Sequence, residues 1–207
     1  PALVASGSPL MPLGTRLVRE SPVGILIDYG GDDHYIGGQP GSLGSGVGGV
    51  GLLVDLDGDD VYGGNRLTQG AAFCGVGILI DKRGDDSYSA RHSAQGSGYF
   101  GLGVLFDLHG KDLFSIGQFG QGFGGASGLG ALVDFDGADR YFADRHVPSS
   151  YGTQGVYNGW AQGAACGFRG FASGGIGLLS DRAGDDHYQA GNFAQGAGYF
   201  FGLGALV

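Results

Sequence analysis

The chain has 207 residues, of which 48 are glycine, 42% are apolar and only 15% are charged. This length suits a single domain. No Gly-X-Y period runs through it, which excludes collagen, and the apolar content excludes simple disorder. The absence of an unbroken stretch of 18 apolar residues excludes a transmembrane helix. The net charge of -9 excludes nucleic acid and anionic membranes as partners, because the phosphate attraction would be reversed in sign.

Residues 1–22 precede the first repeat and are interpreted as an N-terminal segment or cap, and residues 23–207 as one repeat domain. The first copy of the repeat reads Gly24-Ile-Leu-Ile-Asp28, then Gly31-Asp-Asp-His-Tyr35. Five further copies follow, and a seventh begins at Gly204. A Gln-Gly pair occurs in the looser second half of most copies. The anchor aspartates that define the spacing are Asp28, Asp55, Asp81, Asp107, Asp134 and Asp181.

The period and the apolar pattern together predict the fold. Apolar residues alternate with a period of two, which indicates strands, and nothing keeps a 3.6-residue period. A unit of about 26 residues is too short for a propeller blade but suits one turn of a solenoid. The sequence therefore predicts an all-β protein, a β-solenoid (parallel β-helix) of about seven coils with a period of 26–27 residues.

Alternation gives each first strand two faces. Val76, Ile78 and Ile80 represent the face that is predicted to point into the core. The opposite face carries glycine, leucine and the anchor aspartate, and its leucines are predicted to form an outer stripe for association. A cover within the chain, by the Gln-Gly half or by the N-terminal segment, is the alternative. The leucines are Leu26, Leu53, Leu79, Leu105, Leu132, Leu179 and Leu206.

Stacked coils would place the aspartates in columns about 4.8 Å apart, where like charges repel by about 1 kcal/mol per neighbour even in water. Backbone N–H groups, protonation or cations held between coils could offset this, and Ca²⁺ suits such carboxylate oxygens. Asx-turns without metal are the alternative. Turns with Lys111 or Ala138 in place of the first Asp are expected to bind least well. The candidate ligands are Asp28, Asp33, Asp55, Asp60, Asp81, Asp86, Asp134, Asp139, Asp181 and Asp186.

The turn Gly-x-Asp-x-aromatic, as in Gly58-Asp-Asp-Val-Tyr62, resembles the calcium-binding nonapeptide repeat of RTX proteins. The likeness covers about five residues in each of six units. Family repeats follow every nine residues, whereas one loop occurs here per 26 or so. The resemblance implies calcium ligation by the second aspartate of each turn. Those residues are Asp33, Asp60, Asp86, Asp112, Asp139 and Asp186.

The repeat is interrupted once, by an insertion at about 142–175 that holds Trp160 and Tyr157. Aromatic loops on repetitive scaffolds often bind sugars or partners, although an ordered structural flap is the alternative. Cys74 and Cys166 lie about three coils apart, too far for a disulfide, and are predicted to be small buried thiols.

These patterns favour a non-enzymatic, secreted or cell-surface structural protein, a calcium-stabilised solenoid that associates with itself or with a larger assembly. Six similar carboxylate pairs argue against catalysis, since a catalytic site is normally unique. The alternative is a carbohydrate-active or carbohydrate-binding β-helix whose site is the insertion. We expect the native polypeptide to continue past Val207, or a partner to cover this end, because an uncapped strand aggregates.

Overall fold

The structure, a computed structural model, describes residues 23–143 and 147–207. In these ranges the protein is all-β, and its parallel sheets stack as a β-solenoid of about seven turns, as the repeat predicts. The predicted N-terminal segment, residues 1–22, lies outside the described residues. No helix in the described ranges is long and apolar enough to cross a membrane.

The 21 strands are numbered β1 to β21 in chain order and form three sheets along the solenoid axis. Sheet 1 consists of β1 (Val23–Ile27), β4 (Val50–Val54), β8 (Val76–Asp81), β11 (Leu102–Asp107), β13 (Leu129–Asp134), β17 (Ile176–Asp181) and β21 (Leu203–Leu206). Sheet 2 consists of β2 (His34–Gly37), β5 (Val61–Gly64), β9 (Ser87–Ala94), β12 (Leu113–Gln118), β14 (Arg140–Ala143) and β18 (His187–Ala190). Sheet 3 consists of the short strands β3 (Gly46–Val47), β7 (Ala72–Phe73), β10 (Gly98–Tyr99), β16 (Ala165–Cys166) and β20 (Gly198–Tyr199). Beyond sheet 2 lie β6 (Arg66–Thr68), β15 (Asn158–Ala161) and β19 (Asn192–Ala194).

Each coil begins with a strand of sheet 1, and the coils stack without a shift in register. Leu79, for example, pairs with Leu53 on one side and Leu105 on the other. Asp81, Asp107, Asp134 and Asp181 are likewise in register. Identical positions therefore form straight columns along the axis, which confirms the alignment of the repeats.

Sheet 3 lies directly on the backbone of sheet 1. A Cβ placed on Gly77 would come within 2.1 Å of the carbonyl oxygen of Ala71, and one on Gly103 within 2.1 Å of that of Ser97. No side chain fits between the two sheets at these positions, so the repeated glycine of sheet 1 is required by close packing.

The prediction about the two faces of sheet 1 was wrong. Its leucine column is the core: Leu53, Leu79, Leu105, Leu132 and Leu179 are at most 1% exposed, and Leu26 and Leu206 pack against them. The face of Val76, Ile78 and Ile80 points outward and is partly exposed. The leucines, Leu26 to Leu179, are therefore not an association surface.

The reason for the reversal lies in the two non-leucine positions of the inward face. Glycine must face inward, because only a residue without a side chain admits sheet 3. Aspartate also faces inward, because its carboxyl accepts a hydrogen bond from a buried tyrosine. The three residues on the opposite face of each strand are together more hydrophobic than the set of Gly, Leu and Asp. Hydrophobicity alone would therefore have placed those three residues inside.

The Gln-Gly pair closes coils 2 to 6 at the corner between sheets 2 and 3, and Leu43-Gly44 takes its place in the first coil. Gln69 has a left-handed φ of 56° and is fully buried. Its Nε2 donates to the carbonyl oxygens of Tyr62 (2.7 Å) and Ser89 (3.0 Å), which belong to adjacent coils. Gln95, Gln121 and Gln162 make the same paired contacts, so this column joins each coil to the next.

The insertion at about 142–175 is divided into two parts. Gln121 follows Phe114 by seven residues, whereas Gln162 follows Tyr141 by 21. The first part therefore lies between β14 and β15, where Pro148 pairs with Tyr157 in an antiparallel bridge. The second part, after β16, is a turn in which Phe168 pairs with Ala172.

The structure corrects two predictions, one about Trp160 and one about the cysteines. Trp160 belongs to a regular column of the repeat, in line with Phe119 and Phe193, and not to the inserted residues. The prediction of a buried thiol is confirmed for Cys166 and wrong for Cys74, which is exposed at the corner after sheet 3. Both cysteines are free.

Burial of the leucine column gives a direct stability prediction. Leu105→Ala should lower the free energy of unfolding by about 3 kcal/mol, because it leaves a cavity in a core that cannot collapse around it. Ile36→Ala, on the outer face of sheet 2, should lower it by about 0.5 kcal/mol or less, since Ile36 is 64% exposed. Urea denaturation monitored by circular dichroism measures both, and equal losses would contradict the assignment of faces.

Candidate metal-binding columns and the apolar outer face

An unbroken stack of aromatic rings occupies the centre of the solenoid. The ring that follows each Gly-x-Asp turn lies over its copy in the next coil, with centroids 4.7 to 5.0 Å apart and planes within 9° of parallel. Coil stacking imposes this parallel geometry, because the rings follow the spacing of the strands. The stack consists of Tyr35, Tyr62, Tyr88, Phe114, Tyr141 and Tyr188.

The tyrosine hydroxyls of this stack donate to the anchor aspartates. Tyr35 donates to Asp55 (2.5 Å), Tyr62 to Asp81 (2.5 Å) and Tyr88 to Asp107 (2.8 Å), in each case to the next coil. Tyr141 donates to Asp134 (2.9 Å) and Tyr188 to Asp181 (2.6 Å), each within its own coil. The direction of the ladder therefore changes between Tyr88 and Tyr141.

Phe114 is the cause of this change. It occupies the position of a tyrosine and has no hydroxyl, so coil 4 donates nothing to Asp134. Asp134 instead accepts from Tyr141. Before Phe114, each tyrosine donates to the aspartate of the next coil, and after Phe114 each donates to the aspartate of its own coil.

The second aspartates form another ladder, in which the donors are backbone N–H groups. The amide of Asp33 donates to the carboxylate of Asp60, and that of Asp60 to Asp86, both at 2.6 Å. The same contact continues through Asp112 and Asp139 to Asp186, at 2.7 to 2.9 Å. Each carboxylate is held by the turn of the preceding coil, which partly offsets the repulsion along the column.

Asx-turn capping also occurs, at the anchor aspartates of the first three coils. Asp28 Oδ1 accepts from the amides of Tyr29 and Gly30, Asp55 Oδ1 from that of Asp57, and Asp81 Oδ1 from that of Arg83. At these turns, one oxygen of each carboxylate is therefore hydrogen-bonded by the backbone without any metal.

The columns bring the predicted ligands together in groups of three. Within each trio, one carboxylate oxygen per residue lies within 4.8 Å of the other two. All ten candidate ligands take part, together with Asp112, which the RTX resemblance implies as a ligand, and Asp107, which was not among the candidates. The trios are Asp28, Asp33 and Asp55; Asp55, Asp60 and Asp81; Asp81, Asp86 and Asp107; Asp112, Asp134 and Asp139; and Asp139, Asp181 and Asp186.

The trio of Asp112, Asp134 and Asp139 differs from the others in its hydrogen bonding. All three residues are at most 1% exposed. In each of them one carboxyl oxygen, namely Asp112 Oδ2, Asp134 Oδ1 and Asp139 Oδ2, has no hydrogen-bond partner. The trios on either side carry two such oxygens each, Asp86 Oδ2 and Asp107 Oδ1 in one, and Asp139 Oδ2 and Asp181 Oδ1 in the other. Sequence reasoning expected weak binding here because it considered only the exposed first Asp of each turn.

Burial raises the pKa of these carboxyls. Loss of contact with water is the largest cause in each case, and neighbouring carboxylates add to it. The pKa rises to about 9 for Asp86 and Asp112, to about 7 for Asp60 and Asp134, and to about 6 for Asp81 and Asp139. Unless a cation is held among them, the columns therefore carry protons at neutral pH.

The outer face of sheet 1 is apolar over its whole length. Three residues per coil point outward in seven coils, and 20 of these 21 are apolar, Ser180 being the exception. Exposure is greatest at the two ends, 60% for Ile25 and 62% for Leu203. In the middle, Val104, Ala131 and Val133 are covered by their own neighbours.

The aromatic residues predicted for partner binding are largely engaged within the chain. Trp160 stacks on Phe193 at 4.1 Å and on Phe119 at 6.3 Å, so both faces of its indole meet protein rings. Tyr157 is half-buried, and its carbonyl oxygen accepts from the amide of Asn192. Trp160 thus offers no free ring face for a sugar.

Comparison with known proteins gives no relative: no family model, no curated protein and no solved structure matches this chain.

The raised pKa of Asp112 predicts the effect of removing its charge. An aspartate whose pKa rises from 3.8 to about 9 on folding contributes stability at low pH that is lost as the pH rises toward 9. With a chelator present, Asp112→Asn should therefore be more stable than the unmodified protein at both pH 5 and pH 8, and by the larger margin at pH 8. Urea midpoints at the two pH values measure this.

Asp85→Asn is the matched control, because Asp85 lies on the exposed side of the preceding turn. Its effect should be the same at both pH values. An Asp112→Asn variant that is destabilised equally at pH 5 and pH 8 would show that this carboxyl is already ionised in the folded protein.

Proposed function

We propose that this protein is a structural repeat protein that assembles through the outer face of sheet 1. The observation that supports the proposal is the row of 20 apolar outward residues on seven parallel strands, which are most exposed toward the two ends of the sheet. Monomeric proteins seldom expose apolar patches of more than a few hundred Å².

The occupant we propose for this face is a second copy of the chain. Seven strands of five residues cover about 29 Å by 17 Å, or about 480 Å² in plan. Two such faces packed together bury about 1,000 Å², which is the lower limit for a specific interface. Both faces are parallel sheets with the same strand spacing, so their side-chain rows have matching repeats.

A groove along one edge extends the apolar surface. It has a volume of about 770 Å³ and is lined by Val76, Leu102, Leu129 and Ile176 from the sheet and by Phe100 and Phe201 from the corners. Phe201 is 82% exposed. These corner rings stand beside the face and would add to the area buried between two copies.

Calcium is the second part of the proposal, as a stabiliser of the columns. The trio of Asp112, Asp134 and Asp139 supports it, since three carboxylates offer up to six oxygens and Ca²⁺ takes six to eight. A divalent cation there would satisfy the three unpartnered oxygens and remove most of the mutual repulsion. Millimolar calcium is an extracellular condition, so a secreted or cell-surface location follows from the same proposal.

Assembly is tested by placing charges on the outer face. Ile25→Lys combined with Ile176→Lys should convert dimers or larger species to monomers, because each lysine would have to be buried in an apolar contact. Sedimentation velocity over a range of protein concentrations measures the change. The control is Ile36→Lys with Leu113→Lys, which adds the same charge to the outer face of sheet 2. An unmodified protein that stays monomeric, or a face variant that still associates, would overturn the assembly proposal.

The calcium proposal is tested by comparing the unmodified protein with the Phe114→Tyr variant, in calcium and in a chelator. Millimolar CaCl₂ should raise the melting temperature relative to a chelator, because a ligand bound only to the folded state stabilises it. Phe114→Tyr keeps every carboxylate but adds a hydroxyl aimed at Asp134, as Tyr62 is at Asp81. This variant should be more stable in chelator and gain less from calcium. The proposal fails if calcium leaves both melting curves unchanged, or shifts both equally.

A further inference from the structure

A second feature, independent of the outer face and of the aspartate columns, lies at the corner where sheet 2 meets sheet 3. The residue two places before each Gln forms a column of left-handed residues there. Their φ values are between 48° and 59° in coils 2 to 6, and the first member is a glycine. The column consists of Gly41, Leu67, Ser93, Phe119, Trp160 and Phe193.

Ser93 stands at the end of the aromatic part of this column, between Leu67 and Phe119. From Phe119 onward the rings stack on one another, through Trp160 to Phe193. Serine is too small to continue the stack, so a cavity of about 390 Å³ opens between Leu67 and Phe119. Phe73, Tyr99 and Phe168 complete its apolar wall. Its size and its apolar lining are typical of small-molecule sites.

Polar groups lie at the base of the cavity. Ser93 Oγ is 3.1 Å from the hydroxyl of Tyr99 and 3.0 Å from Nδ1 of His92. Ser93 is only 7% exposed. The apolar wall therefore surrounds a fixed hydroxyl pair, which can orient a ligand by hydrogen bonding.

A polar cavity of about 500 Å³ adjoins the apolar one, and the two share Arg66 and His92. Asn65 and Arg91 also line the polar cavity. Arg66 pairs with His92 in the strand register, which places the two arginines on neighbouring strands. Within residues 23–143 and 147–207, neither guanidinium takes part in an ion pair.

What distinguishes Arg66 and Arg91 from the other described arginines is that both line one cavity. Of the six arginines that the structure describes, only Arg83 forms an ion pair, with Asp57. An anion in the polar cavity would supply the missing charge through planar, charge-assisted hydrogen bonds. Their positive charge also acts on His92, whose pKa is lowered by burial first and by Arg66 and Arg91 second.

From this juxtaposition we infer that the two adjoining cavities bind a small amphipathic anion. Its flat ring system lies in the gap at Ser93, and its carboxylate or similar anionic group lies at Arg66 and Arg91. The ring replaces the aromatic residue that the column lacks and stacks against Phe119. The anionic group lies where the two cavities meet.

Isothermal titration with 2-naphthoate tests the inference, and 2-naphthalenemethanol serves as the neutral control. We expect one naphthoate per chain and at least tenfold weaker binding of the alcohol. Ser93→Phe should abolish binding, because it fills the gap with the residue that coils 4 and 6 carry at this position. That substitution matches its neighbours, so the fold should be retained. Arg66→Gln with Arg91→Gln should weaken naphthoate to the affinity of the alcohol.

The variant Ile25→Lys with Ile176→Lys tests whether naphthoate binds to the outer face of sheet 1 instead of the cavity. It should bind naphthoate as the unmodified protein does, since it changes only the outer face of sheet 1. Absence of naphthoate binding at millimolar concentration, or full binding to a folded Ser93→Phe variant, would overturn the site. Equal affinities for the acid and the alcohol would overturn the anionic occupant in favour of an uncharged apolar one.

Discussion

The hydrogen bond from a tyrosine of the central stack to an anchor aspartate determines which way the middle five strands of sheet 1 face, and β1 and β21 follow them in register. The Tyr62 hydroxyl reaches Asp81 inside the solenoid, and the same pairing recurs in five coils. Because successive side chains alternate, an inward aspartate requires that leucine and glycine of the same strand also face inward. The core, the packing of sheet 3 and the outer apolar face all follow from that one orientation.

The same arrangement creates an electrostatic problem that the coil must solve repeatedly. Carboxyls in register lie close to their copies, and burial removes the water that would screen them. Turn amides, tyrosine hydroxyls and protons each offset part of the repulsion, and the raised pKa values of Asp86 and Asp112 are its consequence. A column that is neutral only when protonated makes stability depend on pH, and the proposed cation would offset the same repulsion.

Features that repeat and features that break the repeat serve different purposes in this fold. The outer face of sheet 1 is nearly the same in every coil, which suits contact with another regular sheet. Phe114 and Ser93 each differ from the rest of their columns: Phe114 removes one hydroxyl from the tyrosine ladder, and Ser93 leaves a cavity beside two arginines. Specific ligands are more plausible at such breaks than along the uniform columns, because only there does one coil differ chemically from its neighbours.

The repeat itself was fully determined by the sequence. Period, strand alternation and the absence of helical periodicity were enough to predict a solenoid of about seven coils, and the aligned leucines and aspartates occur in the predicted register. These features depend on spacing along the chain, which the sequence contains directly. Grouping of the aspartates into columns was predictable for the same reason.

The tertiary structure decided the direction of each face. Val76, Ile78 and Ile80 read as core by hydrophobicity, yet they point outward, while Asp81 is buried. That outcome depends on contacts between residues far apart in the chain, namely Gly77 against Ala71 and Asp81 with Tyr62. The gap at Ser93 likewise exists only because neighbouring coils carry larger side chains in the same column. A periodic sequence fixes which residues share a column, but the inward or outward direction of that column is set by what its backbone and polar groups meet across the core.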